Sequence, residues 1–163
     1  MPTKPDDEIL LRRAIAVAAA ARAHGNHPFG AILVDPDGRI LLEAENTVIT
    51  ERDATGHAER NLMSMASRRF EAALLARCTI YTSTEPCVMC AGSVYWVGVR
   101  RVVYGLAERQ LLALTGLHEG NPTFDLPCRT VFAAGQPPTD VVGPMLTDEA
   151  LAVHAGFGPA AAP

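Results

Sequence analysis

The chain has 163 residues, 48% of them hydrophobic and 20% charged, which suits one soluble domain with a real core and is too short for two ordinary ones. Acidic residues outnumber basic ones 18 to 14, a formal net charge of −4, and this speaks against non-specific nucleic-acid binding, which needs a basic surface. Four cysteines are too few for a disulfide scaffold, and no apolar stretch approaches the ~20 residues of a membrane span.

The elements alternate along the chain. An amphipathic helix is expected over residues 6–23, with Leu10, Ala14, Val17, Ala18 and Ala21 on one face and acids in the first turn at the positive end of its dipole. Asp6, Asp7 and Glu8 stand where a signal peptide would carry positive charge, so a cytoplasmic protein with free thiols is expected. Gly25-Asn26-His27-Pro28 stops the helix, and two strands, 29–34 and 39–46, form a hairpin around Asp35-Pro36-Asp37-Gly38. A loop, 47–56, leads to a helix over 57–69, and residues 78–83 make a third strand. Pro86 is placed as the first residue of a helix ending near Val97, because a missing N–H costs nothing there. Residues 101–104 form a fourth strand and 108–114 a helix, followed by an irregular segment through Pro127. A short helix near 128–134, a strand near 140–146 and a last helix over 148–155, N-capped by Thr147, complete a domain spanning 1–157, with 158–163 as a flexible tail. Helices alternating with strands predict a layered α/β domain.

Two short motifs carry the chemistry: His57-Ala58-Glu59, and Pro86-Cys87-Val88-Met89-Cys90. On a helix Cys87 and Cys90 project from one side, near an N-terminus whose dipole favours thiolates. Thiolate and imidazole are ligands zinc prefers, and three of them leave the fourth tetrahedral position for water, the arrangement of a catalytic site. Glu59, two residues after His57, can reach that water as a proton carrier without being a ligand. His-x-Glu followed by Pro-Cys-x-x-Cys is the zinc deaminase signature, matched here at every specified position. The competing reading is a structural zinc site completed by Cys78 or Cys128, which leaves Pro86 and Glu59 unexplained.

These motifs resemble the cytidine deaminase-like superfamily, in particular its guanine deaminase and tRNA adenosine deaminase branch. Pro28-Phe29-Gly30-Ala31 looks like the family's first strand, the run from Glu85 through Gly92 is close to the tRNA-editing members, and Tyr95-Trp96 looks like the guanine deaminase branch. The resemblance implies a three-layer α/β/α fold with a five-stranded mixed sheet and one zinc ion per chain on His57, Cys87 and Cys90. It further implies Glu59 as the catalytic carboxylate, Asn46 and the Ala58 N–H holding the base, and Phe29 and Trp96 packing around it. A homodimer is expected on the same ground.

The substrate reading follows from charge. Past Arg109 the chain has one basic residue, Arg129, against Glu119, Asp125, Asp140, Asp148 and Glu149, where tRNA-editing relatives carry cations for phosphates. The expectation is therefore a small aminated nucleobase or nucleoside, of guanine type or a related pyrimidine or triazine, with tRNA adenosine as the alternative. Glu119 and Asp125 are candidates for the base's edge, and each reads equally as a solvated loop charge.

Overall fold

The computed structural model describes residue 4 and residues 6–116 and 124–157. Glu119 and the 158–163 tail, both singled out above, lie outside the described residues.

A mixed five-stranded sheet of order β2-β1-β3-β4-β5 forms the middle layer. It comprises β1 (Gly30–Val34), β2 (Ile40–Glu45), β3 (Thr79–Thr84), β4 (Arg101–Leu106) and β5 (Asp140–Val142). β1 is antiparallel to β2 and β3, whereas β3, β4 and β5 run parallel. Strands buried on both faces read as continuous apolar runs, and successive side chains part to opposite sides. Ala31, Leu33, Ile80 and Val102 join one cluster, and Ile32, Val34, Tyr81 and Val103 the other.

The first cluster packs under α2 (Ala58–Arg69), α3 (Ala72–Leu75), α4 (Val88–Val97) and α6 (Cys128–Ala133), while α1 (Asp7–Ala23), α5 (Glu108–Thr115) and α7 (Thr147–Ala152) contribute to the second. This is the three-layer arrangement that the resemblance implies. Gly30 is where α1 meets the sheet: a Cβ there would lie 2.6 Å from the Ala14 carbonyl oxygen, so a side chain would force helix and strand apart.

Several details depart from the sequence reading. The four-residue α3 is additional, too short for a periodic signal. α1 turns Asp7, Leu11 and Ile15 inward and leaves Leu10 half-buried. α4 begins at Val88, with Cys87 extended at its N-cap and Pro86 outside the helix. β5 ends at Val142, because Gly143 has a positive φ of 143° and Pro144 brings no N–H to a ladder. Thr147 is the first residue of α7, and Leu146, with φ of 52°, holds the N-cap position instead.

Candidate active site

The chemistry-bearing residues gather beyond the C-terminal ends of β3 and β4, between two helix starts. His57 is the extended N-cap residue of α2 and Cys87 that of α4; Glu59 and Cys90 sit one to two residues inside the first turns. The loop 47–56 delivers His57 with its own ends tied together, Thr47 N–H donating to the Gly56 carbonyl at 2.8 Å. Asn61 secures it from α2, its amide donating to the Glu45 carbonyl at 3.1 Å and to Thr47 Oγ1 at 3.0 Å. Asn26 secures it from the other side, accepting from the N–H groups of Ile49 (3.1 Å) and Thr50 (3.0 Å). Asn26 reads in the sequence only as part of a helix stop, since a bond made 23 residues away leaves no local pattern.

His57 Nδ1 lies 3.6 Å from the sulfur of Cys87 and 3.6 Å from that of Cys90. Tetrahedral zinc, with Zn–S of about 2.3 Å and Zn–N of about 2.0 Å, sets nitrogen and sulfur about 3.5 Å apart. The imidazole nitrogen therefore stands from each sulfur at about the separation zinc requires, and the three donor atoms lie within 4.8 Å of one another. Among the described residues no other His, Cys, Asp or Glu joins the group, so neither Cys78 nor Cys128 closes a four-protein-ligand site. Two helix N-termini and His57 favour negative sulfur here. A hydrogen bond from Cys90 lowers the Cys87 thiol to about 4, and the same bond, with burial, pushes Cys90 up. His57 is raised by its bond with Cys87. Glu59 is buried beside them, and that burial, opposed by its own backbone N–H, lifts its carboxyl to about 7.

The remaining expected residues divide. Ala58, fully buried, is the first residue of α2, where N–H groups have no intrahelical partner. Phe29 and Asn46 are brought together, Asn46 N–H donating to the Phe29 carbonyl at 3.0 Å, and the Asn46 side-chain oxygen accepts from Val48 N–H at 3.1 Å. Trp96 is not gathered in: it stands six residues beyond Cys90 on α4, about 9 Å further along the helix, and is 84% exposed. Its neighbour Tyr95 turns to α6 and donates to the Gln136 carbonyl at 2.8 Å. Asp125 is held in an exposed ion pair with Arg109 at 2.7 Å.

Four further residues belong to this neighbourhood. His27, half-buried, is lowered by burial and then by the charge of His57, and its ring meets Phe157 edge-on at 5.6 Å. His154 does the same to Phe29 at 5.3 Å. Phe157 thus supplies an aromatic to this neighbourhood from beyond α7. Glu108, at the start of α5, is close enough to raise His57 by its negative charge. None of these has ligand spacing, and a site assembled from separate loops shows no signal short of the fold itself.

Residues 4–106 match the model of the cytidine and deoxycytidylate deaminase zinc-binding region. A probable cytosine deaminase of Schizosaccharomyces pombe is 40% identical over 151 residues, 93% of this chain and 91% of that protein. The guanine deaminase of Bacillus subtilis is 41% identical over 98 residues, 60% of this chain and 62% of that one. Among solved structures, a guanine deaminase from Nitrosomonas europaea superposes with a TM-score of 0.77 at 25% identity, covering 96% of this chain and 86% of that one.

Proposed function

Because the chain belongs to the zinc-binding cytidine and deoxycytidylate deaminase family, we propose that it is a hydrolytic deaminase of a free aminated nucleobase, cytosine first and guanine second, using one zinc ion per chain. The observation that carries this reading is His57 Nδ1 standing 3.6 Å from both sulfurs, with the carboxylate of Glu59 buried alongside.

Zinc bound to these three residues would supply an activated water and a Lewis acid for the charge that develops on the attacked ring carbon. Glu59 carries the protons. Its carboxylate takes one from water and gives it to the ring nitrogen, then moves a second from the new hydroxyl to the amino group. One water is added and one ammonia leaves, so the carboxylate returns to its starting state. Ala58 N–H and Asn46 orient the ring, and Phe29 packs against it.

Two arguments choose the substrate class. A phosphate backbone needs unengaged Lys and Arg, yet most arginines here are committed. Arg12, Arg13, Arg39, Arg60, Arg101 and Arg109 pair with acids, and Arg129 donates to the carbonyls of Val141 at 2.8 Å and Gly143 at 2.5 Å. That disfavours the tRNA alternative. Cytosine comes before guanine because the likeness to the cytosine deaminase runs over 93% of the chain and that to the guanine deaminase over 60%. We place the protein in the cytoplasm as a homodimer built on the outer face of α4, where Met89 and Trp96 are both exposed.

An ammonia-release screen over cytosine, guanine, isocytosine, adenine, aminated triazines and a tRNA stem-loop, with zinc measured on the same sample, tests the reading. Turnover of cytosine or guanine by zinc-loaded protein is expected. Salt-sensitive turnover of the stem-loop alone would replace it with tRNA editing.

A further inference from the structure

Glu85 immediately precedes Pro86 and Cys87, yet the reaction above gives it no task. It is 7% exposed, and its carboxylate divides between two distant backbone groups. One oxygen accepts from Cys128 N–H at 2.8 Å and the other from Glu108 N–H at 3.1 Å. Its own N–H donates to the Leu106 carbonyl at 2.7 Å. Glu108 and Cys128 are the first residues of α5 and α6, and the residues before them are Ala107 and Pro127, whose side chains have no acceptor. One carboxylate from another loop thus caps both helices.

We propose that Glu85 is a positioning residue that locks the Cys87 loop to the first residues of α5 and α6, and through them fixes where the Cys87 ligand stands. It acts through its neighbour Cys87, two residues on in the same loop. The inference rests on the deaminase reading for its kinetic consequence alone.

The test is zinc-loaded Glu85→Gln. Glutamine keeps the reach, but its NH2 group faces an N–H donor, so only one of the two bonds survives. Amide exchange at Glu108 or Cys128 is expected to quicken about tenfold or more, and zinc transfer to a chelator about tenfold, as the Cys87 loop loosens. kcat/KM for the base falls about 10- to 100-fold, mainly through KM, at undiminished zinc content. Should Glu85→Gln not yield folded protein, Cys128→Pro removes one of the two amides at a helical position that tolerates proline, and the same changes are expected. A merely structural role would lower the melting temperature and leave the chelator rate and KM of folded protein untouched. That result, or unchanged exchange at both amides, overturns the proposal. If the wild type deaminates no base, the function proposed above fails, and exchange and zinc transfer still decide the role of Glu85.

Discussion

The two ends of the central sheet each bury a cluster of ionisable groups, and the two are resolved in opposite ways. Where β3 and β4 begin, the fully buried Asp7 takes two hydrogen bonds from Arg101, at 2.9 and 2.8 Å, one from Tyr81 at 2.8 Å and one from Lys4 N–H at 2.6 Å. Burial works to raise its carboxyl, but these partners, Arg101 foremost, hold it below the ordinary value. Beyond the other end, Cys87, Cys90 and Glu59 crowd together around His57, and burial drives Glu59 up to about 7. A buried charge needs a counter-charge or a metal. The first cluster has its counter-charge and ties α1 to the sheet; the second is arranged to receive a cation and do chemistry.

If that contrast is right, breaking each cluster gives a different kind of damage. The largest effect is expected at the metal end. Cys90→Ala removes a ligand, so zinc content and turnover fall together, checked by metal analysis and ammonia release. Glu59→Gln keeps zinc and lowers kcat by about 10²- to 10⁴-fold, because only the proton carrier is lost. A near-normal rate in that variant would end the role given to Glu59. At the opposite end, Asp7→Ala strands the Arg101 guanidinium and costs about 3–5 kcal/mol in denaturant unfolding. Turnover per folded, zinc-loaded molecule stays at the wild-type level.

A smaller effect belongs to His154, 2% exposed, with Nε2 buried and unpaired among the described residues. Burial first, then the charge of Arg22, lowers it to about 4 from an ordinary 6.5. Between those values the unfolded chain binds the extra proton, so its contribution is whole above pH ~6.5 and drains away as pH falls toward ~4. The full span is worth about 3 kcal/mol. His154→Phe keeps an aromatic edge against Phe29 and removes the titration. Wild type should therefore lose more stability than the variant between pH ~7.5 and ~5 in parallel urea melts.

How much of this was readable beforehand follows from where the information sits. His57, Glu59, Cys87 and Cys90 occupy two helix starts, so short local spacing exposes them. The strands follow from apolar runs bounded by turn residues, and most helices from a period of 3.6. Asp7 reads as a helix-dipole acid because its partner Arg101 is 94 residues away. His27, Glu85 and Phe157 likewise acquire meaning only when separate loops converge. Trp96, placed beside the base by resemblance, lies outward on α4, since no chain pattern says which way an aromatic near a helix end will face.

Trp96 sharpens the contrast with the smallest effect. At 84% exposed it meets Tyr95 edge-on, 5.5 Å between centroids, and among the described residues it joins neither buried cluster. An exposed side chain with so little to lose contributes within about 0.5 kcal/mol to the fold of one chain. Trp96→Ser should therefore leave zinc content and melting of the monomer unchanged. Trp96 and Met89 are seven residues apart on α4 and share a face, so an association of two copies built there loses its largest apolar contact in the variant. Sedimentation should show wild type as a dimer and Trp96→Ser shifted toward monomer at equal concentration. A variant that sediments as wild type would remove α4's outer face as the dimer surface, and a variant that loses zinc would show that the metal cluster extends along α4 further than its ligands indicate.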